Sequence, residues 1–149
     1  MVRPCEFCEI GSLRQPAHIV LDDGPFLGFL DARPLFPGHC LLIPKAHFET
    51  LADLPEELIG PLFTRVRLLA VAVQEALEVD GTFVAVNNRV SQSVPHLHVH
   101  VVPRRHKDGL KGFFWPRHPY RDQHHMLETQ RAIADKVLNL RRDEKVGSR

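Results

Sequence analysis

His96, His98 and His100 alternate strictly with Leu97, Val99 and Val101 in the stretch 96–102. In an extended strand successive side chains point to opposite faces, so the three imidazoles share one face and the aliphatic groups the other. Imidazoles two residues apart lie about 6.6 Å from each other along the strand, so adjacent ones can serve one small site. The aliphatic face explains how such a strand anchors in a core; it does not explain the histidines. Strict alternation between Gln92-Ser93 and Pro103-Arg104-Arg105 argues against mere decoration of a solvated face. A metal-ligating His-x-His pair is a second reading, but it usually draws on a nearby carboxylate, and none lies between Asn87 and Arg105. The third reading is nucleophilic. A neutral imidazole held in one tautomer attacks phosphorus while a neighbouring imidazole donates to an oxygen.

A second group begins at the N-terminus. Cys5 and Cys8 form a C-x-x-C, and with Cys40 the cysteine count is three, so they cannot all pair within one chain. The first residues carry no apolar export signal, which predicts a cytoplasmic protein and favours metal or redox chemistry over a structural disulfide. A redox pair would call for a helix starting directly after the first cysteine, and the sequence is read without one. Half of a zinc site is the other possibility, since closed structural zinc takes four ligands, commonly mixed Cys and His. Cys40 falls in an apolar stretch and reads as a small buried hydrophobe.

The elements that must position these groups follow from pattern. Stretches 18–22 and 26–30 read as a hairpin around Asp23-Gly24-Pro25. A third strand spans 39–43 and stops at Pro44. Asp53, followed by Pro55 and Glu56, reads as the N-cap of a helix whose apolar residues recur at 58, 59, 62, 63, 66, 69, 70, 73 and 77. Gly60-Pro61 should kink that helix or mark the start of its longer part. Strands at 82–86 and 96–102, the latter stopped by Pro103, flank a polar loop. Beyond 105 the chain changes: an aperiodic basic and aromatic segment, a helical pattern over 126–140, and a charged, frayed tail over 141–149.

The composition is that of a globular chain, 44% apolar and 25% charged over 149 residues, and one domain with a C-terminal extension fits that length. Nineteen basic against eighteen acidic side chains leave a net charge of +1. That balance argues against nucleic-acid or membrane-surface binding, and no apolar run approaches a membrane span. The expected fold class is α+β: a mostly antiparallel five-stranded sheet with one long helix and a C-terminal helical arm.

The segment from Gln92-Ser93-Val94-Pro95 through His96-Leu97-His98-Val99-His100-Val101-Val102 to Pro103 resembles the signature of the histidine triad family of nucleotide hydrolases and transferases. Phe29-Leu30-Asp31, Pro37-Gly38-His39 and Ile43-Pro44-Lys45-Ala46-His47 are similar to the family's upstream block. The resemblance covers about residues 5–105, which makes 1–105 the catalytic domain and 106–149 a loop, helix and charged tail. It implies a homodimer acting on a purine nucleotide adduct, either a dinucleoside polyphosphate or a nucleoside phosphoramidate. His98 would be the nucleophile at the α-phosphorus, and His100 would hydrogen-bond the phosphate. Gln92 and Ser93 would hold its oxygens, Asp31 the ribose hydroxyls, and Phe7, Ile10 and Phe29 the base. Taken singly, each of these three apolar residues reads as core. Asn87 and Asn88 are alternatives for the residue facing the phosphate. In zinc-bearing members of the family, the positions of His47 and His96 complete a site begun by Cys5 and Cys8, so a structural zinc is implied. His39 matches a frequent family residue, with structural and active-site roles both open. Transfer of the nucleotidyl group to another acceptor, and a nucleotide-binding regulator, are the competing functions.

This chain departs from the pattern at Ser91, where the family often has Gly, and in a shorter loop from Asn to Gln. Serine tolerates a positive φ poorly, which predicts a different local turn there. Arg104-Arg105-His106-Lys107 could steer polyphosphate or be a solvated loop. Phe113-Phe114-Trp115-Pro116 could reach a partner's site or dock the arm.

Overall fold

The computed structural model describes residues 4–111 and 118–147, so the 113–116 segment lies outside the described residues. Two compact units result, Met1–Gly109 and Leu110–Arg149, each described by itself.

Five strands, β1 (Ile19–Asp23), β2 (Phe26–Leu30), β3 (Cys40–Pro44), β4 (Gly81–Val86) and β5 (Val99–Arg104), form one sheet in the order β1-β2-β3-β5-β4. Every neighbouring pair is antiparallel. Strand period 2 sorts the central residues into two cores. Phe26, Cys40, Leu42, Leu97, Val99 and Val101 pack on one face with Leu62, Val66, Leu69 and Val73 of helix α2 (Glu56–Ala76). Those four recur with helical period, and burying each contributes about 1.5–3 kcal/mol. Leu27, Phe29, Leu41 and Ile43 face the other way and pack with Phe7 and Ile10 of a short helix, α1 (Glu6–Gly11). The histidine face is therefore roofed over rather than solvated.

Several boundaries differ from the sequence reading, each for a local reason. Helix α1 has no counterpart in that reading, and it starts directly after Cys5. Asp53 does not cap α2. Its carboxylate accepts from the Thr50 backbone N–H (2.9 Å) and hydroxyl (2.7 Å), closing a 3-10 turn over Leu51–Asp53, and α2 starts after Pro55. Helix α2 runs unbroken through Pro61. The ladder of β5 begins at Val99, not 96, yet the alternation of faces extends back through Leu97. Pro103 lies inside β5, opposite Thr82. It is tolerated because β3 pairs only with Val99 to Val101, so no β3 acceptor waits for the missing N–H. Gly38 has φ +96°, the left-handed region, so the backbone conformation favours glycine before His39, and a Cβ there would push on the Leu77 side chain.

In the second unit, α3 (Gln123–Gly147) continues through the stretch expected to fray. Residues 141–146 contain neither Gly nor Pro, and nothing in the local sequence stops the helix before Gly147. Among the described residues no helix is long and apolar enough to cross a membrane.

Candidate functional site

The β2 and β3 ends, α1 and the approach to β5 enclose a cleft of about 180 Å³. Phe7, Ile10, Phe29, Asp31, Ser93, His98 and His100 all line it, together with Leu41 and Val94. Phe7, Ile10 and Phe29 are also nearly fully buried, so each is core and wall at once.

Hydrogen bonds assign the tautomers of the imidazoles. The Nδ1 of His98 lies 2.6 Å from the His96 carbonyl, which can only accept, so the proton sits on Nδ1 and the lone pair on Nε2. His39 has the opposite arrangement. Its Nδ1 accepts from the Leu35 backbone N–H at 3.1 Å, so its Nε2–H donates to Nδ1 of His100 at 3.0 Å. His100 is thereby left with its proton on Nε2. One imidazole of the cleft offers a lone pair and its neighbour a donor, with ring centroids 4.9 Å apart. Nothing local in the sequence supplies this role for His39, since its partner is 61 residues away.

Burial, followed by the neighbouring His98 and His39, pushes the His100 imidazole down to about 4. An unfolded chain takes up a proton near 6.5 that the native state refuses until about 4. The unfolded state thus binds more protons in that window, and stability falls as pH falls through it. Between pH 6.5 and 4, in chelator, the urea midpoint of the wild-type protein should drop more steeply than that of His100→Gln. Parallel slopes would show that His100 is not the group responsible.

The β4–β5 loop behaves differently from the reading. Gln92 donates from Nε2 to the Glu49 carbonyl (2.6 Å) and accepts at Oε1 from the Arg89 N–H (2.7 Å). Asn88 Oδ1 accepts from the Leu51 N–H, and Asn87 Nδ2 donates to the Ser91 carbonyl. None of the three lines the cleft; of the loop residues singled out, Ser93 alone does. Their amides are consumed in bracing a short loop.

Ser91 has φ +58°, so this position keeps the left-handed conformation that glycine would favour, contrary to the different turn expected. Ser91→Gly should stabilise the protein by about 0.5 kcal/mol, strain relief exceeding the added chain entropy. Thermal denaturation checks this, and a lowered midpoint would refute it.

Cys5, Cys8, His47 and His96 place one donor atom each within 4.8 Å of one another. Cys8 Sγ lies 3.3 Å from His47 Nδ1 and 3.6 Å from His96 Nδ1, and Cys5 Sγ 3.5 Å from the latter. His96 Nε2 donates to the Pro44 carbonyl at 2.8 Å, which leaves the Nδ1 lone pair facing the thiols, the tautomer a metal needs. Burial and the adjacent Cys5 push the Cys8 thiol up to about 11. The helix that the redox reading called for is present, starting directly after Cys5. These four residues could bind a metal ion. Asp31, His39 and His100 form a second close group.

Other sequence candidates lie apart. Cys40 is buried, its thiol donating to the Gly38 carbonyl, as a small hydrophobe would be placed. The Arg104 guanidinium pairs with Asp108 at 2.6 and 3.0 Å, and Arg105 donates to the Leu77 and Glu78 carbonyls at the end of α2. Two of the steering loop's three permanent cations, Arg104 and Arg105, are thus engaged with protein acceptors. His106 is exposed.

The HIT domain family profile matches residues 12–107. An uncharacterized HIT-like protein of Saccharolobus solfataricus is 33% identical over 91% of this chain and 99% of its own length. An adenylylsulfatase of Arabidopsis thaliana is 34% identical over 71% of this chain and 55% of its own. An adenosine 5'-monophosphoramidase of Saccharomyces cerevisiae is 34% identical over 71% and 66%. Among solved structures, a HIT family protein of Bacillus subtilis superposes with a TM-score of 0.79 at 31% identity, covering 89% of this chain and 96% of that one. A zinc-bound histidine triad family protein of Mycobacterium smegmatis reaches 0.68 at 38% identity, covering 89% and 96%. Profile and fold agree, and this chain belongs to the HIT family.

Proposed function

We propose that this protein is a nucleotide hydrolase that cleaves at the α-phosphate of a purine nucleotide adduct through a nucleotidyl-histidine on His98. The observation that carries the reading is the opposed pair of tautomers in one cleft, a lone pair on His98 Nε2 beside a proton on His100 Nε2. In the first step the His98 lone pair forms an N–P bond and the leaving group departs with the electrons of the bond that breaks. His100 donates to a phosphate oxygen as charge builds there. Water then attacks phosphorus, the N–P bond breaks with its electron pair returning to His98 Nε2, and the proton lost by the water passes to solvent, which leaves His98 neutral. Phe7, Ile10 and Phe29 give the base an apolar wall, Asp31 accepts from the ribose hydroxyls, and Ser93 donates to the phosphate.

The adenylylsulfatase and monophosphoramidase relatives support adenylyl transfer to water. A panel of adenosine phosphoramidate, adenylyl sulfate and dinucleoside polyphosphates, with products identified, tests the reading. Release of the leaving group ahead of AMP is expected in the first turnover. A protein that binds AMP yet turns over none of the panel is a regulator, and one that needs phosphate as acceptor is a transferase.

Cys5, Cys8, His47 and His96 would hold a structural zinc, which supplies cross-linking and no step of the reaction. The zinc-bound relative supports this assignment. We assign the catalytic part to 1–105, the arm to 106–149, and the protein to the cytoplasm. A homodimer is favoured by the unpaired edge of β4 and by the exposed Ile59, Phe63, Leu68 and Val71 on α2. Sedimentation at micromolar concentration should give twice the chain mass; a fully active monomer would overturn this.

A further inference from the structure

Helix α1 has two working sides. At 100° per residue, Cys8 lies roughly 130° around α1 from the mean direction of Phe7 and Ile10, and Cys5 is the residue directly before the helix. One side faces His47 and His96, and the other lines the cleft beside His98. A six-residue helix is far too short to hold itself in water, and α1 has no side-chain cap at its start. Two things therefore anchor it: the burial of Phe7 and Ile10 against the sheet, and whatever joins the thiols to the two histidines. Phe7 links both sides, since its ring meets His96 edge-on at 6.0 Å and His98 at 5.2 Å.

We propose that Cys5, Cys8, His47 and His96, by binding a metal ion, set how tightly the cleft holds the base of its ligand. They do so through α1, acting as positioning residues for Phe7 and Ile10. This rests on the nucleotide reading of the cleft. The asymmetry it requires is specific. Asp31 directly after β2, Ser93 and His98 in the β4–β5 connection, and His100 in β5 would face ribose and phosphate; none belongs to α1, and they keep their places. Loosening α1 displaces Phe7 and Ile10 from the base wall and leaves Phe29, on β2, in place.

The experiment compares zinc-loaded protein with protein stripped by chelator, using calorimetric titration with AMP and with ribose 5-phosphate. Stripping should weaken AMP at least tenfold and leave ribose 5-phosphate within about twofold. In parallel, amide exchange over Phe7 to Gly11 should accelerate on stripping while β2 and β3 stay protected. Equal AMP affinity in the two forms, or an equal loss for both ligands, overturns the proposal. If zinc-loaded protein binds no AMP, the nucleotide reading falls instead. Exchange then decides the anchoring of α1, and unchanged protection of Phe7 to Gly11 refutes it. Phe7→Ala in zinc-loaded protein should reproduce the AMP-selective loss with the metal still in place.

Discussion

His98→Ala should lower turnover by about 10⁴–10⁶-fold while nucleotide affinity stays within about tenfold, because it deletes the bond-forming nitrogen and little contact surface. His100→Ala should be milder, about 10²–10³-fold, the usual worth of a donor to developing oxyanion charge. The ordering is diagnostic. Metal-activated water would make the loss of any ligand histidine about equally damaging, whereas here His96→Ala should act chiefly on stability. Rapid quenching of wild-type protein should trap a nucleotidyl adduct, labile in acid and stable in base, that maps to His98. Absence of the adduct together with turnover of His98→Ala within tenfold of wild type would end the covalent mechanism for this protein.

Cys5→Ser should remove the metal and with it a large part of the protein's stability. Protein purified without chelator is expected to carry about one zinc per chain. A ligand that binds only the native state stabilises by about 4 kcal/mol when present at a thousand times its dissociation constant. For a chain of this size each kcal/mol moves Tm by about 2–4 °C, so the variant should melt roughly 8–16 °C lower. Metal analysis and calorimetry check the two halves separately. A native protein that contains no zinc and a stoichiometric Cys5–Cys8 disulfide would rule the site out.

The sheet, the long helix and the face carrying the histidines are legible in the sequence, because period-2 and period-3.6 patterns are local consequences of backbone geometry. The C-x-x-C marks Cys5 and Cys8, the family resemblance adds His47 and His96, and the structure gathers the four from three separate segments. Asp53 reads wrongly as the helix cap because an N-cap and the last residue of a capping box look alike until the Thr50 contacts are seen. Helix α1 escapes a pattern reading because six residues carry too little periodicity, and packing against the sheet is what makes it a helix. Gln92, Asn87 and Asn88 can be given a type from sequence but not a partner. Their amides bond Glu49, Arg89, Ser91 and Leu51, a choice made by how one loop crosses another. The tautomers of His98, His39 and His100 are set by tertiary contacts. A ring proton goes to whichever nitrogen meets an acceptor, and the His96 carbonyl and the Leu35 N–H reach these rings only once the chain has folded.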